Sequence, residues 1–327
     1  MLSGTQQQLF QENQAQTTKN KKKFSVVSLF SGAGGMDLGF RGGFEIFGRR
    51  YAKNPFKIIW SNEINPAACR TYERNLHKIQ CGDIWDFMDK IPSADVLIGG
   101  FPCQDLSING KGLGINGKRS SLYTAMIEAI RRARPKVFVA ENVKGLLLKT
   151  RRESFDQIMK DFGSLGYEVN HELYHAADYG VPQNRERVFI VGTLKGEAGS
   201  FHPPAAERNK TNWMGAKEAL GDLENVEQNE EINHVWSLAN VSGEQGNRKL
   251  KPDAVAYTIR AECHGNSSYH YSLNRRISMR EAARIQTFPD DFIFDSKIRE
   301  TERQVGNAVP PVLAWHIARS VATALNF

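Results

Sequence analysis

The sequence predicts an α/β fold: a mostly parallel sheet with helices on both faces, carrying a smaller, irregular second region. Three observations predict it. From Phe24 to about Gly192, short apolar runs alternate with longer amphipathic stretches, the pattern of buried strands joined by crossover helices. The first apolar run leads directly into a glycine-rich turn and a helical pattern, as in open parallel sheets at the edge where they receive a ligand. A chain of 327 residues, 40% of them hydrophobic, can also bury a substantial core.

In chain order, residues 1–23 are rich in Gln, Asn and Lys, lack the pattern of a secretory signal and are expected to form a disordered tail. The cluster Lys19, Lys21, Lys22 and Lys23 suits either plain solvation or contact with nucleic acid phosphates. Candidate strands occupy residues 25–30, 57–61, 95–98, 136–140 and 187–191, with a weaker one at 167–173. Helical spacing marks residues 121–133 and 153–165. From Lys195 to about Asn274 the chain turns rich in Gly, Asn, Glu and Lys, with weak periodicity and turn signals at His202-Pro203-Pro204 and Ser242-Gly243. Helical signals then return, with a capping box at Ser278-Met279-Arg280-Glu281 and an amphipathic terminal helix at residues 312–325. The expected division is a tail at 1–23, a main domain at 24–194 completed by 300–327, and a second domain with its hinge at 195–299.

Lys and Arg number 43 against 36 Asp and Glu, a net charge of +7, which fits a polyanionic partner and equally an ordinary basic enzyme. No apolar stretch is long enough to span a bilayer. Cys69, Cys81, Cys103 and Cys263 lack the close pairs of a zinc site or a disulfide-rich secreted domain, so no metal and a reducing, cytoplasmic setting are expected.

Chemistry concentrates at predicted strand ends. Ser31-Gly32-Ala33-Gly34-Gly35 follows the first strand and is either a simple tight turn or a place where a nucleotide-like ligand approaches the backbone. A dinucleotide fingerprint needs a further glycine where this chain has Asp37, which disfavours NAD and FAD. Glu63 ends the next strand, where a carboxylate can accept two ribose hydroxyls, and Asp83 is similarly placed to accept from an adenine amino group; a solvated loop acid is the alternative for each. The run 95–98 breaks at Gly99-Gly100 and delivers Phe101-Pro102-Cys103-Gln104. A lone cysteine is more often a small buried hydrophobe than a nucleophile, but this one follows a stiffened break at a ligand-binding edge. Glu141-Asn142-Val143 ends the next strand, so a thiol and a carboxylic acid converge, which suits covalent catalysis with acid assistance. Alternation places Gln183, Arg185 and Arg187 on one face, where the two arginines suit either carbonyl and phosphate oxygens or a salt-bridged strand edge.

Together, Phe30-Ser31-Gly32-Ala33-Gly34-Gly35, Gly100-Phe101-Pro102-Cys103-Gln104, Glu141-Asn142-Val143, Gln183-Asn184-Arg185-Glu186-Arg187 and Gly306-Asn307-Ala308-Val309-Pro310 resemble the ordered motif series of DNA cytosine-5 methyltransferases of the bacterial restriction-modification type. The resemblance covers Phe24 to about Gly192 and Asn274 to the C-terminus. It implies a Rossmann-like S-adenosylmethionine-dependent methyltransferase core, with a target-recognition domain in the variable region. It further implies that the Cys103 thiolate adds to C6 of cytosine, that Glu141 protonates or hydrogen-bonds N3, that Arg187 holds the base carbonyl, and that Arg185 positions Glu141 or nearby backbone. Phe30, Gly32, Gly34, Glu63, Ile64, Asp83, Ile84, Pro102, Leu122 and Asn307 would line the S-adenosyl-L-methionine pocket. Because Asn307 is among them, the C-terminal helix is expected beside the first strand.

The same resemblance implies double-stranded DNA with a flipped target base as substrate, a mobile lid at residues 107–114, monomeric action and a cognate restriction endonuclease without direct contact. In the recognition region Arg248, Lys249, Lys251, Arg260, His264, Asn266 and His270 offer base- and phosphate-binding groups, and residues 261–266 read as a groove-facing loop. Two departures bear on affinity: Gly117-Lys118-Arg119-Ser120-Ser121-Leu122 lacks the Asp and Gly often found around this Arg, and Ile64 stands where an aromatic can stack on adenine. An RNA cytosine-5 methyltransferase is the first rival, disfavoured because no cysteine stands beside Glu141 and no Cys-Phe-Thr signature occurs. A decayed, nonenzymatic DNA-binding core is disfavoured by intact Cys103, Glu141 and Arg187. A nicotinamide-dependent oxidoreductase fails at the glycine turn.

Overall fold

The computed structural model describes residues 23–101, 122–238, 248–262 and 268–327. β1 (Phe24–Leu29) leads through the glycine turn into α1 (Gly35–Arg41), followed by the short hairpin β2 (Phe44–Ile46) and β3 (Arg49–Tyr51). Then come β4 (Phe56–Glu63), α2 (Pro66–Asn75), β5 (Gln80–Cys81) and β6 (Val96–Gly100). After the undescribed segment follow α3 (Leu122–Ala133), β7 (Val137–Val143), α4 (Arg152–Ser164), β8 (Tyr167–His175) and β9 (Glu186–Leu194). The remaining helices are α5 (Ala216–Leu220), α6 (Met279–Ile285), α7 (Ile298–Asn307) and α8 (Pro311–Ala324).

Among the described residues the main sheet has seven strands in the order β5-β4-β1-β6-β7-β9-β8. β1, β4, β5, β6 and β7 pair in parallel, whereas β9 runs antiparallel to both its neighbours, β7 and β8. The chain therefore moves outward from β1 in both directions, which opens a crevice at the carboxyl ends beside β1 and β6. Successive side chains alternate faces, and both faces are covered. Val26, Ile98, Val139 and Val191 join Phe40, Phe288, Leu313 and Ile317 in one core cluster. Val27, Leu97, Phe138 and Ile190 join Met126, Ile130, Phe155 and Phe162 in the other.

The C-terminal segment folds back onto the start of the fold. A Cβ on Gly39 of α1 would overlap the Ala314 Cβ and the Pro311 carbonyl oxygen of α8, so the two helices touch only because that position is bare. The Phe327 ring meets Phe24 of β1 edge-on, with centroids 6.3 Å apart. The expected capping box is formed: the Ser278 hydroxyl accepts from Glu281 N at 3.0 Å, and the Glu281 carboxylate accepts from Ser278 N at 2.7 Å. That carboxylate is fully buried and also takes two bonds from Arg275 at 2.8 Å.

Several features depart from the sequence expectations. The first strand stops at Leu29 rather than residue 30, because Phe30 is left-handed at φ 54 and breaks the pleat. The β2–β3 hairpin turns on Phe47 and Gly48, both at positive φ (52 and 68), and its strands are too short to register as alternation. α2 buries only Ala68, Cys69, Thr71 and Tyr72, too narrow a stripe to stand out. Asn65 caps it, accepting from Ala67 N and Ala68 N, with Pro66 in the first turn; that Asn-Pro pair is its readable signal. Cys69 and Cys81, twelve residues apart, are not isolated: they form a disulfide across α2 and β5, with Cα atoms 6.0 Å apart. Pairing of β5 against β4 is what brings them together. No described helix is long and apolar enough to cross a membrane.

Substituting Gly39→Ala forces α8 away from α1 and should cost about 1–3 kcal/mol, seen as a lower urea midpoint with an unchanged slope. Wild-type stability in this variant would contradict the packing described.

Candidate active site

The crevice collects its functional groups by strand direction. Glu141 sits near the carboxyl end of β7 in register with Gly100 of β6. A Cβ at position 100 would lie 2.9 Å from Glu141 Oε2, so glycine there leaves space for the carboxylate. β9 enters the same edge from the opposite direction, pairing Arg187 with Val143 and Phe189 with Glu141. Arg187 Nε thereby reaches Glu141 Oε1 at 2.8 Å, with both side chains largely shielded from solvent. Burial pushes the Glu141 pKa up, and the charges of Arg187 and Arg185 only partly oppose it. Burial likewise lowers the pKa of Arg187, with Glu141 pulling it back up. The pair is a carboxyl group that accepts a proton more readily than an exposed one, fixed in direction by a guanidinium.

Asn142, the next residue, tethers the stem that leads to the expected nucleophile. Its Nδ2 donates to the Phe101 carbonyl at 2.9 Å, and its Oδ1 accepts from Val143 N at 2.8 Å. Phe101 is buried, so the chain leaves β6 held beside Glu141. Pro102, Cys103, Gln104, the expected lid at residues 107–114 and Gly117-Lys118-Arg119-Ser120-Ser121 lie outside the described residues, as do Cys263, His264 and Asn266.

Arg185 does not bond Glu141. It is fully buried just before β9, and its two Nη atoms donate to the carbonyls of Ile259 (3.2 Å), Gly306 (2.8 Å) and Ala308 (2.9 Å). Of the two roles expected for it, the geometry fits the positioning of backbone, on both sides of Asn307. Gln183 is buried with it, donating to the Ile285 carbonyl and the Gln286 side chain and accepting from Ile259 N at 3.0 Å. This junction joins β9, the recognition region and the C-terminal motif.

On the other side of β1, Gly32 is left-handed at φ 55 and its N–H donates to Glu63 Oε2 at 2.9 Å. Glu63 Oε1 accepts from Asn65 N at 2.8 Å, so the carboxylate is held between the glycine turn and the start of α2. Ile64 is 63% exposed, an apolar surface beside that carboxylate. Asp83 is exposed just after β5 and accepts from Trp85 N, whereas the Ile84 side chain is buried in the core. Phe30, Gly32 and Leu122 are half-buried, Gly34 is buried, and Asn307 is exposed at the end of α7. A nucleoside with hydroxyls, an amino group and a flat apolar ring suits this donor and acceptor set.

In the region expected to recognise the target, Arg248, Lys249, Lys251 and Arg260 are exposed. His270 is not available as a base contact: its side chain is fully buried, and Nδ1 faces the backbone N–H groups of Ser272 and Leu273 at 3.2 Å.

The family described as C-5 cytosine-specific DNA methylase matches this chain over residues 24–240 and 202–323. The chain belongs to that family. It is 34% identical over 340 residues to the Type II methyltransferase M.NgoFVII of Neisseria gonorrhoeae, covering 93% of this chain and 87% of the relative. It is 36% identical over 345 residues to the Type II methyltransferase M.FnuDI of Fusobacterium nucleatum, covering 92% and 95%. Its fold is shared with the solved Dnmt2 methyltransferase of S. pombe at a TM-score of 0.67 and 19% identity, covering 93% and 100%. The enzyme class is thus DNA cytosine-5 methyltransferase on an α/β methyltransferase fold.

One positioning group of this site escapes a reading by residue chemistry. Asn142 carries an amide that looks like an ordinary polar loop residue, and its signal is only that it sits inside a strand-end motif. Asn142→Ala removes the donor to Phe101 and leaves a buried carbonyl unpaired. It should lower kcat about 10- to 100-fold, equivalent to about 1–3 kcal/mol, with the melting transition retained; unchanged kcat would mean that the tether does not set the position of the loop.

Proposed function

We propose that this protein transfers a methyl group from S-adenosyl-L-methionine to C5 of a flipped-out cytosine within a specific duplex DNA sequence, through a covalent Cys103 adduct at C6. One observation carries this: in a chain of the C-5 cytosine methylase family, a buried carboxyl group with a raised pKa, paired to Arg187, lies in register with the strand that leads into Cys103.

The cofactor supplies an electrophilic methyl group on a sulfonium; the chain's residues do the rest. Glu63 would accept the ribose hydroxyls, Asp83 the adenine amino group, and Ile64 would lie against the adenine, with Phe30, Gly32, Gly34, Ile84, Pro102, Leu122 and Asn307 completing the pocket. Cytosine C5 is a poor nucleophile within an intact aromatic ring. Addition of the Cys103 thiolate to C6, with the Glu141 proton given to N3, turns C5 into an enamine carbon that can accept the methyl group. Arg187 orients Glu141 and would hold the base carbonyl, while Arg185 holds the backbone around Asn307. A base then takes the C5 proton, the C6–sulfur bond breaks to release the Cys103 thiolate and restore the aromatic ring, and N3 returns its proton to Glu141.

Within a stacked duplex both C5 and C6 are shielded, so the base must be rotated out, at a cost of a few kcal/mol. Residues 195–299 act as the target-recognition domain and hinge, with Arg248, Lys249, Lys251 and Arg260 toward DNA, and residues 24–194 with 300–327 act as the catalytic domain. The protein works as a monomer and as the modification enzyme of a restriction-modification system, protecting sites from an endonuclease it need not touch.

Purified protein given labelled S-adenosyl-L-methionine should place the label on C5 of cytosine in duplex DNA; label confined to tRNA would overturn the substrate assignment. Because burial raises the Glu141 pKa, its proton persists to higher pH than that of an exposed carboxyl group, and kcat should fall as pH rises past that point. Glu141→Gln should lower kcat by about 10²–10⁴ and abolish that alkaline fall. A kcat near wild type in Glu141→Gln would remove Glu141 from the chemistry.

A further inference from the structure

Beneath the glycine turn lies a fully buried acid that the reaction does not use. Asp37, in the first turn of α1, has no exposed surface. Its Oδ2 accepts from the Ser28 hydroxyl at 2.9 Å and its Oδ1 from the Tyr72 hydroxyl at 2.7 Å. The Ser28 and Ser31 hydroxyls are 2.8 Å apart. Since Ser28 spends its only proton on Asp37, Ser31 donates to Ser28. On the opposite side, the Tyr72 hydroxyl that donates to Asp37 lies 3.1 Å from His77 Nε2. His77 is partly exposed and is steadied at its other ring nitrogen, Nδ1, by the Lys78 carbonyl at 2.8 Å.

One carboxyl group thus gathers the end of β1 (Ser28), the turn itself (Ser31) and the middle of α2 (Tyr72). The turn lies directly on Tyr72, whose Cδ2 would be 2.9 Å from a Cβ on Gly34. Between these anchors Ser31 N is tied to the Asn62 carbonyl, and Gly32 N to Glu63. Burial raises the Asp37 pKa, opposed by its bonds from Tyr72 and Ser28 and by the charge of His77. With no solvent to replace a lost partner, the carboxyl group and the hydroxyls of Ser28 and Tyr72 fix one another's positions.

We propose that Asp37 is a positioning residue for cofactor binding: through Ser28, Ser31 and Tyr72 it locks the turn at residues 31–35 against α2, so that Gly32 presents Glu63 to the ribose, with His77 as the outer end of the chain. The inference rests on the assignment of the glycine turn and Glu63 to S-adenosyl-L-methionine. It concerns affinity for the cofactor, with no part in bond making.

The test is calorimetric titration of the full chain, without DNA, with S-adenosyl-L-methionine and with S-adenosylhomocysteine, alongside thermal melting. Asp37→Asn and Tyr72→Phe should each raise Kd about tenfold, the loss of a hydrogen bond to a charged group. Because both act on one lock, the double variant should also lie near tenfold and not near a hundredfold. Duplex DNA affinity at fixed salt should not change. If Asp37→Asn does not fold, the partly exposed end carries the test: His77→Ala should raise Kd about threefold, and His77→Gln, which keeps a donor, should restore it.

Wild-type Kd in Asp37→Asn and Tyr72→Phe, or a lowered melting temperature without a change in Kd, would overturn the proposal. Glu63→Ala separates the two assignments. Lost binding there with wild-type binding in Asp37→Asn removes only the positioning role, whereas wild-type binding in Glu63→Ala removes the cofactor site and this inference with it.

Discussion

A carboxyl group buried at the end of a parallel strand needs a counter-charge, and the fold provides it by reversing one strand. If β9 ran parallel to β7, Arg187 would start at the amino edge of the sheet, a full strand length from Glu141. Running antiparallel, β9 places Arg187 opposite Val143 and within 2.8 Å of the Glu141 carboxylate. Removing either partner would leave an unpaired buried charge or an acid with no fixed direction. Burial raises the pKa of Glu141, and the arginine fixes the direction of the carboxyl group.

The same edge is completed from distant parts of the chain. Arg185, two residues before Arg187, fastens the Gly306 and Ala308 carbonyls and the Ile259 carbonyl with a single guanidinium. Helix α8 then packs on α1 at Gly39, so the glycine turn, the motif around Asn307 and the acid–arginine pair belong to one packed body. The recognition region is tied in through Ala256, whose N–H donates to the Pro182 carbonyl and whose own carbonyl accepts from Asn184 N.

The sheet and the acid were legible in the sequence because buried strands leave continuous apolar runs, and because Glu141 interrupts the end of one of them. The capping box at Ser278 was legible too, since both of its groups lie within four residues. Phe30 was not, because an aromatic residue gives no sign of a left-handed backbone. Nor were the contacts of Arg185, Asn142 and the Cys69–Cys81 pair, each set by a partner distant in the chain or brought near only by the fold. His270 shows the limit most plainly. A histidine in a polar, glycine-bearing stretch looks like a group for DNA, yet its side chain is fully buried and its Nδ1 is taken by the backbone N–H groups of Ser272 and Leu273.

The most direct measurement uses duplex DNA synthesised with 5-fluorocytosine in place of cytosine throughout, incubated with the protein and S-adenosyl-L-methionine. Fluorine at C5 cannot leave as a proton does, so the elimination that frees the thiol is blocked. A protein–DNA adduct that survives denaturation, mapped by mass spectrometry to the peptide containing Cys103, is the predicted result. An adduct on any other residue, or methylated 5-fluorocytosine with no adduct, would contradict attack by Cys103 at an edge armed by Glu141 and Arg187.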